Sequence, residues 1–184
     1  MSPILGIFAS AITGNLVTSS YESIATVTVG SGGSSQIEFT SIPATYTHLQ
    51  VRGIWAHSTT NVAAVIRLNT DAGANYTQHI LRGNGSTASA SGQTDLTGTG
   101  ATIASSSGSG GFGTSIIDIL DYTNTNKYTT MRILAGQDVN GDGNLRMYSG
   151  LWLNTNAITN IRIIPNDSTF NQYTQWSLYG IKGS

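Results

Sequence analysis

Residues 47–57 read THLQVRGIWAH, and this stretch decides the fold class. Leu49, Val51 and Gly53 alternate with polar or charged residues, and Trp55 continues the same side. A period of two is typical of a β-strand with one face turned to the core. We therefore expect a long strand here, with the Leu49 side buried.

The same period recurs along most of the chain. Residues 23–29 (SIATVTV) and 36–42 (QIEFTSI) alternate in the same way, with a Gly/Ser cluster between them and Pro43 after them. Roughly nine or ten such segments, separated by turn-forming residues, indicate antiparallel strands. The sequence predicts an all-β fold, an antiparallel β-sandwich with jelly-roll topology, in a single domain over residues 21–184.

Residues 84–113 interrupt this pattern. The segment consists almost wholly of small and polar residues, with Leu96 and Ile103 as its large aliphatic exceptions. We expect a long Gly/Ser-rich excursion without regular structure, either exposed or ordered by a neighbouring subunit. The spacing Gly108-x-Gly110-x-x-Gly113 matches a dinucleotide fingerprint, but a strand-like run follows it where that motif requires a helix.

Composition narrows the classes of partner and site. Charged residues make up only 9% of the chain and the net charge is -1, so no electrostatic field favours nucleic acid or an anionic membrane surface. The chain contains no Cys, which excludes disulfides, thiolate metal ligands and a thiol nucleophile. We expect neither nucleic acid nor a membrane among its partners.

The first twenty residues differ from the rest because they are apolar without alternating. Large apolar residues recur there about every fourth position, which would line one side of a short helix. Ala9-Ser10-Ala11 resembles a signal-peptidase site, but no Lys or Arg precedes it and the apolar run is short. We expect residues 1–20 to form an extended or short-helical anchoring arm. Its proposed interaction residues are Ile4, Leu5, Phe8, Ile12 and Leu16.

No catalytic constellation emerges from the titratable residues. His48 and His57 lie nine positions apart near the ends of one predicted strand, on opposite faces, and His79 belongs to another segment. Asp118 and Asp121 are three positions apart, so a strand would place their side chains on opposite faces as well. A hydrolase triad or a glycosidase pair of carboxylates is therefore not expected. The sequence predicts a protein that is not an enzyme and has no cofactor.

One segment offers a metal site. Asp138, Asn140 and Asp142, followed by Gly143, match the first ligand positions of a calcium loop, but Ser149 stands where a bidentate Glu is needed. The flanks are strand-like, and Asn-Gly and Asp-Gly steps are also typical of hairpin turns. We expect a hairpin turn, with a weakly bound calcium ion as the alternative.

Several stretches together resemble a group of small structural proteins of tailed phages from aquatic and cyanobacterial hosts. These stretches include residues 3–16 (PILGIFASAITGNL), 115–128 (SIIDILDYTNTNKY), 149–163 (SGLWLNTNAITNIRI) and 176–183 (WSLYGIKG). The resemblance covers most of the chain apart from the Gly/Ser-rich segment. It implies a virion protein, assembled in the cytoplasm of a host bacterium, and it transfers no functional residue.

Three functions follow as hypotheses. The first is a capsid decoration (cement) protein that stabilises the head by binding the major capsid protein or neighbouring virion proteins, as a homo-oligomer with a trimer favoured by analogy. The second is a tail-fibre or receptor-binding module that contacts host glycan through loop aromatics. The third is a secreted calcium-dependent carbohydrate-binding module, which requires cleavage after Ala11.

Overall fold

The computed structural model describes residues 20–57, 62–104, 111–139, 142–166 and 168–183. The predicted arm, apart from Ser20, lies outside the described residues, together with all five of its proposed interaction residues. Within the described ranges the regular structure consists of antiparallel strands. No helix in this part of the chain is long and apolar enough to cross a membrane.

The strands form two sheets. The larger sheet has the order β1-β12-β3-β8-β9-β10-β5-β6, and the smaller has the order β2-β11-β4-β7. Their bounds are β1 Tyr21–Thr28, β2 Ile37–Phe39, β3 His48–Trp55, β4 Val62–Leu68, β5 Tyr76–Gly83, β6 Ala88–Leu96, β7 Thr99–Ala104, β8 Gly113–Ile119, β9 Thr129–Val139, β10 Asp142–Trp152, β11 Ile161–Pro165 and β12 Gln175–Ile181.

Strand pairing is nested around one hairpin. β5 pairs with β6, β4 with β7, β3 with β8, β2 with β11, and β1 with β12. The β9–β10 hairpin is inserted between β8 and β5 and widens the larger sheet. A chain that folds back on itself as one long hairpin and then rolls into two sheets is a jelly roll. The predicted all-β sandwich is confirmed.

The core lies between the two sheets and is rich in aromatic residues. Leu49, Val51 and Trp55 of β3 are fully buried, as the alternation in residues 47–57 predicts. Trp55 meets Phe170 edge to face, with ring centroids 5.4 Å apart and planes at 81°. Trp176 of β12 packs beside both rings. These three rings form an aromatic cluster in the core at the β3–β12 part of the larger sheet.

Residues 84–113 contain two strands, so the expectation of an excursion without regular structure is wrong for β6 and β7. Leu96 at the end of β6 packs against the core, as its aliphatic character suggested. From Ala88 to Asp95, β6 is exposed on both faces, so neither face needs an apolar residue and no alternation appears. In β7, Gly100 faces Tyr148 so closely that an added Cβ would lie 2.6 Å from Cε1 of that ring. Small residues there allow close packing, and they are not a sign of irregular structure.

Candidate binding face

The larger sheet has one side that the smaller sheet does not cover, which we call the outer face. Four large apolar side chains form a continuous row across this face, on adjacent strands β8, β9, β10 and β5, and each is directly opposite the next in the pairing. Their exposed fractions are 41% for Ile116, 48% for Leu134, 47% for Met147 and 52% for Leu81. An exposed apolar patch of this kind is typical of a surface that binds a partner.

Beside the apolar row lies a groove of about 460 Å³. Leu81, Met147 and Leu120 line it, and His79 and Arg132 contribute its polar positions. All of these residues belong to β5, β9 or β10, or follow β8 directly. The groove therefore has the size and lining to accept apolar side chains from another molecule.

A row of polar side chains runs parallel to the apolar row. The Gln50 amide donates to Oδ1 of Asp118 (2.7 Å), and Arg132 pairs with Oδ2 of the same carboxylate (3.1 Å). Arg52 in turn donates to Oε1 of Gln50 (2.6 Å). Asp118 therefore lies on the outer face and is hydrogen-bonded. Arg132 balances the charge of this carboxylate, while Arg52 adds one positive charge beside Gln50.

At the β1 end of the outer face, a cation is held between two aromatic rings. The guanidinium carbon of Arg52 lies 5.6 Å from the centroid of Tyr21 and 5.2 Å from that of Tyr179. Each of these contacts is within the range of a cation–π interaction. The stack stiffens the long Arg52 side chain and forms a polar border to the apolar row.

The candidate calcium segment forms a hairpin. Val139 pairs with Asp142 and Asp138 with Gly143, so positions 138 and 142 belong to opposite faces of the two-stranded ribbon. Asn140 lies outside the described residues. β9 and β10 pair antiparallel up to this segment, and both the turn itself and the cation site stay predictions.

The titratable residues that the sequence singled out are not brought into one site. His48 Nδ1 accepts the backbone N–H of Asp121 (3.0 Å), and the Asp121 carboxylate also pairs with Lys127, whose hydrogen bond lowers the pKa of that carboxyl. His57 is buried and packs on Trp55, with ring centroids 5.5 Å apart. His79 is on β5, at the groove. No group of three or more His, Asp or Glu that could hold a metal occurs among the residues described.

Sequence reasoning did not identify the apolar row as a surface. A signal was present, because residues 115–120 (SIIDIL) and 131–135 (MRILA) carry apolar side chains at successive positions instead of alternating. In a sandwich strand with one solvent-facing side, this pattern indicates that both faces are apolar. The alignment of the four side chains depends on the register of three strand pairs. The order of residues within a single strand does not specify that register.

Comparison with known proteins adds no relative: no family model, no curated protein and no solved structure matches the chain.

Proposed function

We propose that this protein is a non-enzymatic structural subunit of a phage virion, a capsid decoration protein that binds the major capsid protein. The observation that carries the binding role is the apolar row Ile116–Leu134–Met147–Leu81 on an uncovered sheet face. Burying exposed apolar surface of this extent is the main favourable term in protein association. The resemblance of the sequence to tailed-phage structural proteins supplies the virion context.

The chemistry of the outer face supports a protein partner over a small substrate. The face is broad, and its central charges, Asp118 and Arg132, are paired with each other. Apolar surface at the centre with hydrogen-bonding groups around it is the usual anatomy of a protein–protein interface. This supports a binding role for the groove.

The test measures occupancy on purified virions or on capsids that lack the protein. We expect many copies per head, and we expect the double variant Leu81→Lys, Met147→Lys to bind at least about tenfold more weakly, because it places two charges in an apolar contact. Tyr173→Lys is the matched control, since Tyr173 is 70% exposed in the loop before β12. Equal occupancy of the double variant and the control would refute a binding role for the outer face. A protein that does not copurify with particles would refute the virion role.

The proposed arm is tested separately on the same particles. A chain lacking residues 1–16 should occupy capsids less if Ile4, Leu5, Phe8, Ile12 and Leu16 contact the shell. Undiminished occupancy would remove the arm from the proposal and leave the outer face as the contact. The two results are independent because the arm and the four-residue row can be altered one at a time.

One observation favours the second candidate, a receptor-binding module. Tyr128 is 50% exposed in the loop between β8 and β9, beside a depression lined also by Asn126, Lys127 and Thr155. An aromatic ring beside amide and hydroxyl groups suits stacking and hydrogen bonding to a sugar. Binding on a glycan array that is lost in Tyr128→Ala would favour this function over decoration. If the protein binds no glycan on the array and the purified protein does not block phage adsorption, the receptor-binding function is excluded.

A further inference from the structure

Strand β6 is an uncapped edge of the larger sheet. It is the last strand in the sheet order and pairs only with β5 among the described strands. Every residue from Ala88 to Asp95 is exposed, so neither face is covered. From Ala88 to Gln93 it pairs regularly with β5, and the irregularity comes only near its end, where Asp95 has a positive φ of 56°. A long, regular edge with unpaired backbone groups is a template for adding another strand.

The other edges of the two sheets differ from β6. β1 carries a bulge between Ser23 and Ala25, and β2 has only three residues. β7, the remaining edge, has an irregular register with β4 between Ala64 and Val65. Bulges and short edge strands are the usual devices that prevent edge pairing. β6 has neither device over its first six residues, and it contains no Pro or Lys. Its residues 88–92 are Ala, Ser, Ala, Ser and Gly, whose small side chains leave the backbone accessible.

Charges at the two ends of the β5–β6 hairpin are complementary. Arg82 of β5 is directly opposite Arg146 of β10, and no described carboxylate lies within 4.0 Å of either guanidinium. Arg82 donates to Oγ of Ser89 (2.8 Å), and Nε of Arg146 is buried with no hydrogen-bond partner. Like charges opposite each other on a sheet are destabilising. At the far end of β6, Asp95 accepts a hydrogen bond from Thr94 and forms no ion pair with a described residue.

We infer that β6 binds β6 of a second copy of this chain, antiparallel, across a twofold axis at Gly92. Gly92 is the middle residue of β6, so this axis faces residues 88–91 of each copy with residues 93–96 of the other, and the irregularity near Asp95 lies toward the two ends of the contact. It places Asp95 of each copy opposite Ser89 of the other, next to Arg82. The two cationic ends then each receive a carboxylate, and the two eight-stranded sheets become one. A twofold contact of this kind is closed and self-complementary, and it limits assembly to a dimer.

Sedimentation of the full-length protein over a concentration series tests the dimer. We expect a species of twice the 19.3 kDa chain mass at high concentration. Arg82→Glu should weaken dimerisation by at least about tenfold, because it places two acids at each end of the contact. The double variant Arg82→Glu, Asp95→Lys should restore it by exchanging the charges. Asp95→Asn, which tolerates the positive φ, should weaken it less than Arg82→Glu does.

Hydrogen exchange supplies a readout that a folding defect would not imitate. In the dimer the outward-pointing amides of residues 88–94 should be protected only at high concentration, whereas the amides of β9 should be protected at every concentration. Arg162→Glu is the matched control, because Arg162 pairs with Glu38 on the smaller sheet. A monomer at all concentrations would overturn the inference. A trimer would also overturn it, as would a dimer whose β6 amides stay unprotected. So would a dimer that dissociates to the same extent in wild type, in Arg82→Glu and in the double variant. Since the variants leave the outer-face row intact, failure here is distinguishable from failure of capsid binding.

Discussion

Gly53 is the residue of β3 against which the Trp176 ring of β12 packs. It is directly opposite Trp176 in the pairing, and a Cβ built on it would lie 2.4 Å from Cε3 of that indole. The ring therefore lies flat across the backbone of β3, and Gly53 is required for that packing. The sequence placed Gly53 on the buried side of β3, but the partner that requires a glycine lies more than a hundred residues away.

Gly53→Ala should destabilise the fold by about 1–3 kcal/mol, because the methyl group displaces a fully buried Trp. The free energy of unfolding in urea, followed by Trp fluorescence, measures the effect. Gly30→Ala is the matched control, since a Cβ there meets nothing within 4 Å. The control should be neutral or slightly stabilising. Equal effects of the two substitutions would show that the Trp176 ring moves aside freely.

Asp71 organises the turn between β4 and β5. Its Oδ2 accepts the Trp152 indole N–H (2.8 Å) and the Asn75 amide (3.0 Å), and its Oδ1 accepts the Gly73 N–H (2.8 Å). Burial acts to raise the pKa of Asp71, but the hydrogen bonds from Trp152, Asn75 and Gly73 together outweigh it, and the pKa is lowered from its ordinary value of 3.8. The charged carboxylate is therefore the form that the folded state prefers.

This preference gives Asp71 a defined pH dependence. A pKa lowered on folding contributes stability that is present above 3.8 and is lost as pH falls through the folded-state value. Asp71→Asn should cost about 1–3 kcal/mol at neutral pH, and the gap to wild type should shrink by about pH 3. Urea unfolding at a series of pH values measures the gap. Asp138→Asn, on the exposed hairpin strand, should show little loss, and a gap for Asp71→Asn that is independent of pH would contradict the assignment.

At the scale of single elements, the apolar pattern predicted most of the strands and missed β6 and β7. β3 was predicted from its period because Leu49, Val51 and Trp55 contact the core directly. β6 was missed because no layer covers it, so burial imposed no pattern on its sequence. The apolar row on the outer face was missed for the opposite reason. Ile116 and Leu134 look like further core residues until the register places them on the uncovered side.

The β9–β10 hairpin is the element on which the calcium hypothesis depends. Since Val139 pairs with Asp142, backbone hydrogen bonds join the two strands almost to the tip of the hairpin. We expect the melting temperature to be the same, within about 1 °C, in millimolar calcium and in excess chelator, because only a ligand that binds the folded state stabilises it. A melting temperature that is higher in calcium than in chelator, with the difference lost in Asp138→Asn, would establish the cation site instead.

At the scale of the whole molecule, the nested pairing joins the two ends of the domain. β12 lies between β1 and β3 in the larger sheet and therefore has a strand on each side. β1 lies at the edge of that sheet. Trp176 and Leu178 of β12 are fully buried, whereas every residue of β1 is exposed or half-buried. Among the described strands, β12 therefore belongs to the core and β1 to the rim. Pairs so distant in sequence are costly to form, which favours slow folding.

Deleting one terminal strand at a time should separate these roles. Removing residues 175–184 takes a Trp and a Leu from the core, at about 3–5 and 2–5 kcal/mol respectively, which approaches the 5–15 kcal/mol that stabilises a typical domain. We expect that chain to lose its near-ultraviolet circular dichroism and its cooperative thermal transition. Removing residues 1–28 takes away the proposed arm and the edge strand β1, whose Ile24 and Val27 are only partly buried against the core, so the shortened chain should melt at a lower temperature but still cooperatively. If both deletions leave a cooperative transition, the smaller sheet and β3–β10 fold without β12, and the nested order is not what holds the molecule together.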